Sequence, residues 1–250
     1  MPLAPEKLPD RIFLDDGRRL DGRALDELRD VKIEIGVLDN ADGSAMISHG
    51  LNRIIAGAYG PREVHPKHLA ESDKGILQVQ YRMATFSVGE RKTPVPGRRE
   101  KEISMVVRQA LEPALFLEQF PNTTIDVFIQ VMTADGGTRC ASVTAAALAL
   151  ADMGIPMRDL VTGVAVGKIE GKLILDLADA EDKWESEDAT DMPVAVMMNE
   201  KRITLLQQDG SISCEEFEDL LNLAVTGAEK IYEMQKEALR KKYSPELVGR

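Results

Sequence analysis

Cysteine is scarce in this chain, which has Cys140 and Cys214 as its only two among 250 residues. Two thiols are too few for a zinc site, and they do not suggest a disulfide scaffold. We therefore expect both cysteines to be small buried residues. A reducing compartment follows as the default, and we expect a cytoplasmic location.

Long apolar runs are also missing. The most apolar segment, residues 141–155, is interrupted by Asp152 and falls short of a membrane span. Residues 1–10 contain three prolines and no apolar stretch of the kind found in secretory signals. These absences predict a chain with no membrane partner.

An excess of positive charge is absent as well, since 31 basic residues face 42 acidic ones and the net charge is −11. Indiscriminate binding of nucleic acid through overall charge is therefore not expected, and a polyanionic partner would need a local basic patch. Hydrophobic residues make up 44% of the chain. That content is enough for a substantial core in one large domain or two closely fused halves.

The chain does contain a short glycine motif, Gly136-Gly137-Thr138-Arg139, between two regular patterns. Residues 124–132 before it alternate between apolar and other residues, which predicts a strand. Residues 141–151 after it are almost continuously small and apolar, which is typical of a helix buried on several sides. The motif therefore marks a tight turn from a strand into a buried helix.

This turn is a candidate anion cradle. Gly136 and Gly137 allow backbone conformations that a Cβ would hinder, and the first turn of the helix offers unpaired N–H groups and the positive end of its dipole. Arg139 adds a planar fork suited to phosphate oxygens, and the Thr138 hydroxyl can cap the helix or donate to the anion. The alternative is an ordinary turn with Arg139 at the surface. The motif matches neither a P-loop nor a dinucleotide fingerprint.

The remaining pattern predicts an α+β fold with two similar halves, because strands are followed by helices twice. Residues 1–30 are charged and turn-rich, and we expect an irregular arm that wraps around the fold rather than packs into it. Residues 31–250 would form one domain with halves near 31–155 and 156–250. The predicted strands are 32–38, 44–48, 53–59, 75–86, 124–132, 163–169, 172–177, 194–198 and 203–208. Helical apolar spacing runs from Ile103 to Ala114, from Ala141 to Ala151 and from Phe217 to Tyr232.

The most basic stretch of the chain, with five cations between Arg91 and Lys101, leads directly into the first predicted helix. Arg98 and Arg99 fall at or just before the start of that helix, where positive charge opposes the helix dipole by about a few tenths of a kcal/mol. This placement makes sense if an anion binds there. A solvated basic loop is the alternative.

Residues 176–191 form an acidic loop with eight carboxylates and a single basic residue, Lys183. Most acidic runs are solvated loops, but this one interrupts two apolar strands, so Asp182 and Asp191 are expected to lie near a structured edge. Paired carboxylates at such a site can bind Mg²⁺, with water and substrate phosphate completing the shell, or one of them can act as a general acid.

Taken together, these residues resemble the RNase PH-like exoribonucleases, and most closely the catalytic subunits of the archaeal exosome. The resemblance covers nearly the whole chain, and it rests on the order and spacing of short motifs, none of which is specific alone. The motifs are Asp21-Gly22-Arg23, Asp26-Glu27-Leu28-Arg29, Ala41-Asp42-Gly43-Ser44-Ala45, Tyr59-Gly60-Pro61-Arg62-Glu63, Arg98-Arg99-Glu100, Gly136-Gly137-Thr138-Arg139, Leu175-Asp176-Leu177, Glu181-Asp182 and Asp191-Met192-Pro193.

The resemblance implies the RNase PH-like fold, also described as ribosomal protein S5 domain 2-like, with two βαβα-type halves. It implies a hexameric ring in which active subunits alternate with inactive RNase PH-like paralogues, capped by RNA-binding subunits. It also implies phosphorolysis, in which inorganic phosphate attacks the 3′ end of single-stranded RNA and nucleoside diphosphates are released. By this resemblance, Arg99, Gly137, Thr138 and Arg139 would bind phosphate, Arg62, Lys67 and Arg98 would bind RNA, and Asp182 and Asp191 would be catalytic and hold Mg²⁺.

The sequence departs from the family pattern in the acidic loop, which is longer than usual. Asp188 therefore competes with Asp191 for the second carboxylate role, and we prefer Asp191 because Met192-Pro193-Val194 fixes the register into the next strand. Lys67 stands where relatives more often have arginine, so it keeps the charge but loses the bidentate fork. Metal binding by the flanking His65 and His68 is not favoured. Trp184 could stack a base, although a loop anchor is the preferred interpretation.

Two other functions fit the same fold. One is a non-catalytic ring subunit that binds RNA for its partners, although the basic and acidic positions of an active subunit are all occupied here. The other is a homo-hexameric enzyme of the RNase PH type that trims tRNA. The exosome enzyme remains the first hypothesis, because the arm and the Pro193-Val194 segment look more like that branch.

Overall fold

The structure is a computed structural model that describes residues 9, 11–184 and 189–244. Its strands are β1 Val31–Ile35, β2 Gly43–His49, β3 Asn52–Glu63, β4 Ile76–Met83, β5 Thr123–Thr133, β6 Val161–Ile169, β7 Lys172–Leu175, β8 Thr190–Met197 and β9 Arg202–Leu206. Its α-helices are α1 Arg98–Leu111, α2 Thr138–Asp152, α3 Asp179–Asp182 and α4 Cys214–Tyr243. Short 3₁₀ turns cover Lys67–Leu69, Glu112–Ala114 and Leu117–Gln119. The predicted α+β class is confirmed.

The first sheet has the strand order β1-β2-β3-β5-β4. Its neighbours are antiparallel except β4 and β5, which run parallel because α1 connects them as a crossover. The last strands and α-helices of the first half therefore follow in the order β4, α1, β5 and α2, which is a βαβα unit. The alternation of β5 is confirmed, since Ile125, Val127, Ile129 and Val131 are all buried in the core beneath the helices.

The second sheet is antiparallel with the order β7-β6-β8-β9. The long helix α4 covers one of its faces, and the apolar stripe predicted for this helix is part of the core. The buried residues of this contact on α4 are Leu220, Ala224, Ala228 and Ile231, and they pack against Val164, Val166, Leu175 and Val194.

Helix α2 lies between the two sheets and contacts β2 and β3 on one side and β6 and β8 on the other. A Cβ added to Gly43 would lie 2.3 Å from the carbonyl oxygen of Ala149, and one added to Gly163 would lie 2.4 Å from that of Cys140. Strand backbones thus approach the helix from both sides. Small residues around the whole helix are required for this packing, which explains the composition of residues 141–151.

The arm is turn-rich as predicted, but the expectation that it wraps rather than packs is wrong. Arg19, Arg23 and Arg29 are all buried, and all three donate hydrogen bonds to Asp176 of the second half. Burial alone would raise the pKa of Asp176, but His49 and the Arg29 guanidinium hold it well below its ordinary value. Buried arginines are tolerated here because a buried carboxylate and backbone carbonyls pair with them.

Three further differences from the sequence predictions have local causes. Strand β3 continues past Tyr59 to Glu63, whereas β7 stops at Leu175 because Asp176 has a left-handed backbone with φ 60°. Cys140 is buried as predicted, but Cys214 is exposed. Cys214 opens α4, ahead of the buried stripe that starts at Leu220.

The division into an arm and two halves stays a prediction. The two sheets occupy residues 31–133 and 161–206, which is the arrangement that such a division would produce. None of the helices in the described part of the chain is long and apolar enough to cross a membrane.

Candidate active site

Four chain segments meet around the N-terminus of α2. They are the first turn of α1, the turn between β5 and α2, the single-turn helix α3 and the start of β8. The predicted residues on them are Arg98 and Arg99, then Gly137, Thr138 and Arg139, then Asp182, and finally Asp191. Seven of the nine predicted site residues therefore lie on elements that converge, although the chain separates them widely.

The glycine turn has the backbone that the sequence predicted. Gly136 and Gly137 both have φ 67°, a left-handed conformation that other residues rarely adopt. A Cβ on Gly136 would lie 2.6 Å from the backbone of Ala178 and Asp179. The turn therefore packs directly against the start of α3, which brings the cradle and the acidic segment together.

Two buried side chains that sequence reasoning missed hold this turn. The Asn52 amide donates to the carbonyl oxygen of Gly136 at 2.7 Å, and its oxygen accepts from the N–H of Asp135 at 2.7 Å. Arg29 donates to the carbonyl oxygens of Asp135 and Leu177 while it pairs with Asp176. No local pattern distinguishes Asn52, and Arg29 entered only as part of a family motif, so neither position carried a signal for this role.

The N-terminus of α2 is open toward the site. Its N-cap is Gly137, which has no side chain that could accept a hydrogen bond from the first turn. Thr138 does not cap the helix, because it is already the first helical residue. Its hydroxyl oxygen accepts from the Tyr81 hydroxyl at 3.1 Å, so the hydrogen of Thr138 remains available to an anion. Free N–H groups, this hydroxyl and the helix dipole all favour negative charge at this position.

Arg139 points from α2 toward the second half of the chain. It donates to the side-chain oxygen of Gln207, and its second terminal nitrogen lies 3.9 Å from Glu102. Its Nε is buried and has no hydrogen-bond partner among the residues that the structure describes. A buried charged donor without a partner is costly, so a bound anion would complete the hydrogen bonds of this guanidinium.

Arg98 and Arg99 open α1, as predicted, and both are exposed. Glu100 fixes the start of this helix, because its carboxylate accepts from the N–H of Gly97 and from the N–H of Met83, each at 2.8 Å. Arg99 is close enough to Asp182 and Asp191 for its charge to oppose the rise that burial causes in the pKa of both carboxyl groups. It therefore belongs to the same cluster as Arg139.

Asp182 and Asp191 form the acidic part of the cluster. Burial raises the pKa of Asp182, and Arg99 opposes this shift. Burial and then the charge of Asp182 raise the pKa of Asp191 to about 6, against the opposing effect of Arg139 and Arg99. The two carboxylates are thus neighbours. Asp188, the competing candidate for the second role, lies outside the described residues.

A cavity of about 620 Å³ opens in front of these groups. Its walls come from the loop after β4, the start of α1, the glycine turn and α3. The lining residues are Met83, Val88, Gly89, Glu90, Lys92, Arg99, Ala134, Gly136, Gly137, Thr138, Asp179, Asp182 and Lys183. A cavity with glycine amides and an arginine on one side and aspartates on the other suits an anion that reacts with acid or metal assistance.

Arg62 and Lys67 do not join the cluster within this chain. Arg62 pairs with Asp42 at 3.3 Å and stacks on Tyr59, and Lys67 pairs with Glu63 at 2.6 Å. Asn52 lies at the end of β3 beside the glycine turn and Arg62 at the other end, roughly 30 Å away at about 3.3 Å per residue. Their predicted role in RNA binding stays a prediction.

The residues that could hold a metal ion at this site are the two carboxylates. Asp182 and Asp191 offer oxygen ligands, which Mg²⁺ prefers, and their raised pKa values mean that a cation between them would relieve repulsion. In the described part of the chain, no group of three or more His, Cys, Asp or Glu residues could hold a metal ion. Water and substrate oxygens would have to complete the shell. Trp184 packs against an apolar cluster with Ile12 and Leu177, which fits the loop-anchor interpretation.

The fold and the site define a class: an α+β protein in which arginines and aspartates converge on an open helix N-terminus. Comparison with known proteins gives the family. Residues 27–156 match domain 1 of the 3′ exoribonuclease family, RNase PH, and residues 159–227 match domain 2. The chain belongs to this family of 3′ exoribonucleases.

Several curated proteins are similar over nearly their full length. The exosome complex component Rrp41 of Pyrococcus furiosus is 56% identical over 97% of this chain and 95% of that protein. Rrp41 of Pyrobaculum calidifontis is 52% identical over 98% of this chain and 100% of its own. Among solved structures, rice (Oryza sativa) Rrp46 has a TM-score of 0.77 at 25% identity, covering 88% of this chain and 100% of that one. The Archaeoglobus fulgidus exosome with RNA bound to the active site has a TM-score of 0.76 over 87% of this chain and 92% of that one; at 24% identity it shows the shared fold.

Proposed function

We propose that this chain is a catalytic subunit of an RNA-degrading exosome ring and that it works by phosphorolysis. Inorganic phosphate would attack the 3′-terminal phosphodiester of single-stranded RNA. A new phosphorus–oxygen bond would form, the bond between phosphorus and the 3′ oxygen would break, and a nucleoside diphosphate would leave. The family membership and the Rrp41 relatives at 52–56% identity support this proposal.

The observation that carries the proposal is the convergence of two arginines and two carboxylates at one open helix N-terminus. Arg99 and Arg139 form a cationic half, and Asp182 and Asp191 form an acidic half. The Nε of Arg139, for which the described part of the chain supplies no hydrogen-bond partner, lies in the cationic half. Such a site can bind an anion and also handle the proton of a leaving group.

The cationic half has to overcome the repulsion between the attacking phosphate and the scissile phosphodiester. Two unit charges about 4 Å apart repel by about 4 kcal/mol at an effective dielectric constant near 20. Arg99, Arg139 and the amides at Gly137 and Thr138 would offset this repulsion and orient the attacking oxygen. Positioning and electrostatic stabilisation then supply most of the rate, as in phosphoryl transfer generally.

The acidic half acts on the leaving oxygen. Asp182, whose pKa is raised by burial, would donate a proton to the departing 3′ oxygen or hold Mg²⁺ together with Asp191. Mg²⁺, when bound, would neutralise charge on phosphate oxygens and on the leaving oxygen. Asp182 lines the cavity, and Asp191 lies at the start of β8, where the sheet holds its backbone.

The RNA path and the partners are parts of the same proposal. Arg98 lies beside Arg99 and would bind the phosphodiester backbone next to the reacting bond, whereas Arg62 and Lys67 would contact RNA further upstream. An inactive RNase PH-like paralogue would alternate with this chain in a hexameric ring, and RNA-binding subunits would cap the ring in the cytoplasm. The acidic chain has a narrow basic patch, so neighbours would contribute part of the RNA path.

The test is product analysis with a 3′-tailed single-stranded RNA. The chain would be incubated alone and with its ring partner, in Mg²⁺ buffer with and without phosphate. We expect nucleoside diphosphates only when phosphate is present, more of them after ring assembly, and none from the Asp182→Asn variant. The exposed Asp73→Asn serves as the matched control and should keep full activity. Release of monophosphates without phosphate would contradict the proposal.

A further inference from the structure

The one-turn helix α3 carries Asp182, yet it is too short to be stable by itself. It spans Asp179–Asp182, whereas isolated helices need several turns to overcome the cost of nucleation. Within the described residues its backbone hydrogen bonds are four local ones, from Glu181, Asp182, Lys183 and Trp184 back to Ala178, Asp179 and Glu181. Some other contact must therefore fix this segment at the edge of the cavity.

Glu181 provides that contact. Its carboxylate accepts from the N–H of Ala178 at 2.7 Å and thereby caps α3. The same carboxylate is nearly fully buried and accepts two hydrogen bonds from Arg19, through Nε at 2.7 Å and through Nη2. One side chain thus joins the start of α3 to the N-terminal arm.

Arg19 connects this carboxylate to the second sheet. Its side chain is completely buried, and it also donates to the carbonyl oxygens of Leu175 and Asp176, each at 2.6 Å. The first carbonyl belongs to the last residue of β7 and the second to the residue after it. The planar guanidinium therefore links the end of a strand to α3 with several fixed hydrogen bonds, a geometry that lysine cannot reproduce.

The arm does not need this contact for its own attachment. Arg23 and Arg29 already anchor the arm to the Asp176 carboxylate, and Arg29 to the glycine turn as well. Of the three buried arm arginines, Arg19 alone pairs with α3 within the described residues. Its carboxylate partner is the residue that precedes Asp182 in the chain.

We propose that Arg19 is a positioning residue for the Asp182 carboxylate, which it fixes by clamping Glu181 against the end of β7. The inference rests on the proposed function, because it assigns the arm a role in the same reaction. Without the clamp, α3 loosens and Asp182 moves away from the reacting bond. The phosphate cradle on α2 stays intact, because Asn52 and Arg29 hold it independently.

The experiment uses Arg19→Lys in the assembled ring, with Arg23→Lys as the matched control. Both variants keep the charge and lose a buried fork in the same arm, but Arg23 does not touch α3. Since displacements of about 1 Å can cost up to about 100-fold in rate, we expect Arg19→Lys to lower kcat about 10- to 100-fold. The KM for phosphate should stay within about twofold of the parent value, because the cradle on α2 still binds phosphate as before. If Arg19→Lys does not fold, Glu181→Gln is the second variant. It should likewise lower kcat and leave the KM for phosphate nearly unchanged.

Amide hydrogen exchange provides a readout that does not depend on activity. Exchange in residues 178–184 should accelerate in Arg19→Lys and remain as in the parent protein in Arg23→Lys. If the parent protein releases no diphosphates, the proposed function fails, and the exchange data alone then decide whether Arg19 fixes α3. Unchanged exchange in Arg19→Lys, or an equal loss of kcat in Arg23→Lys, would overturn the inference.

Discussion

Burial and the neighbouring charge of Asp182 together raise the pKa of Asp191 to about 6. Asp182 comes from α3 in the first half of the acidic loop and Asp191 from the last residue of that loop, and the glycine turn packs against the helix that carries Asp182. Arg99 and Arg139 face the same pair and oppose the shifts. The site therefore keeps two acids close together beside two arginines, an arrangement that favours a cation or a proton between the acids.

The first prediction concerns stability and pH. The folded-state pKa of Asp191 lies above its ordinary value of 3.8, so the folded chain binds this proton more tightly than the unfolded chain does. Stability from this group is therefore fully present below about pH 4 and is lost as pH rises through about 6. Asp191→Asn should match the parent chain near pH 4 and be more stable at pH 7, by up to about 3 kcal/mol at about 1.4 kcal/mol per pKa unit.

Denaturant unfolding of the metal-free chain at both pH values measures this difference. Asp73→Asn is the control, because that aspartate is exposed. A stability difference between Asp191→Asn and the parent that does not change with pH would show that Asp191 titrates normally.

The second prediction separates phosphate binding from RNA binding at adjacent sites. Arg139→Lys keeps the positive charge but loses the buried Nε and the planar guanidinium fork. Hydrogen bonds to charged groups contribute about 1.5–3 kcal/mol each. The KM for phosphate should therefore rise about 10- to 100-fold. Arg98→Lys should leave the KM for phosphate nearly unchanged and raise the KM for RNA. Steady-state kinetics with each substrate varied measure both, and equal effects of the two variants on both constants would argue against separate roles.

The third prediction concerns Gln207, which sequence reasoning did not single out. Its side-chain oxygen accepts from Arg139 just after β9 ends, and its amide approaches Glu102 at 3.4 Å. Gln207→Leu should let the guanidinium move and raise the KM for phosphate about 3- to 10-fold, the size expected for one hydrogen bond. The exposed neighbour variant Gln208→Leu is the control. If Gln207→Leu binds phosphate as well as the control does, the orientation of Arg139 does not depend on Gln207.

The fourth prediction compares the two glycines of the turn. Both have φ 67°, so an alanine at either costs about 1–2 kcal/mol in the left-handed region. At Gly136 the Cβ would also meet the backbone of α3 at 2.6 Å, whereas at Gly137 its nearest neighbour is the end of the Arg29 side chain at 3.3 Å. Gly136→Ala should therefore lower the free energy of unfolding by clearly more than Gly137→Ala. Denaturant titration of both variants decides this, and equal losses would mean that the turn does not pack against α3.

The sequence predicted the parts of the structure that local patterns encode. The alternation of β5, the small residues of α2 and the stripe on α4 each reflect one element packed on one or two neighbours. The glycine turn and the acidic loop were visible for the same reason, because both interrupt regular patterns. Arg99, Arg139, Asp182 and Asp191 could thus be selected as candidates before any distance between them was known.

The supporting contacts could not be predicted, because they join residues that are far apart in the chain. Arg19 lies in the turn-rich arm and no local pattern distinguished it; its burial depends on Glu181 and on backbone carbonyls across the fold that accept from it. Asn52 and Gln207 are polar residues at strand ends, and no spacing rule connects them with Gly136 or Arg139. Pairings of this kind depend on tertiary proximity, which periodicity and composition do not contain.

The measurement that tests the central claim most directly follows the phosphate atom itself. The assembled ring is incubated with single-stranded RNA and radiolabelled inorganic phosphate, and the released nucleotides are separated. Phosphorolysis at the Arg99 and Arg139 cluster predicts that the label appears in the β-phosphate of nucleoside diphosphates and that, at phosphate concentrations below KM, Arg139→Lys incorporates much less of it. Unlabelled nucleoside monophosphates as the only product would show that water is the nucleophile and would contradict the account.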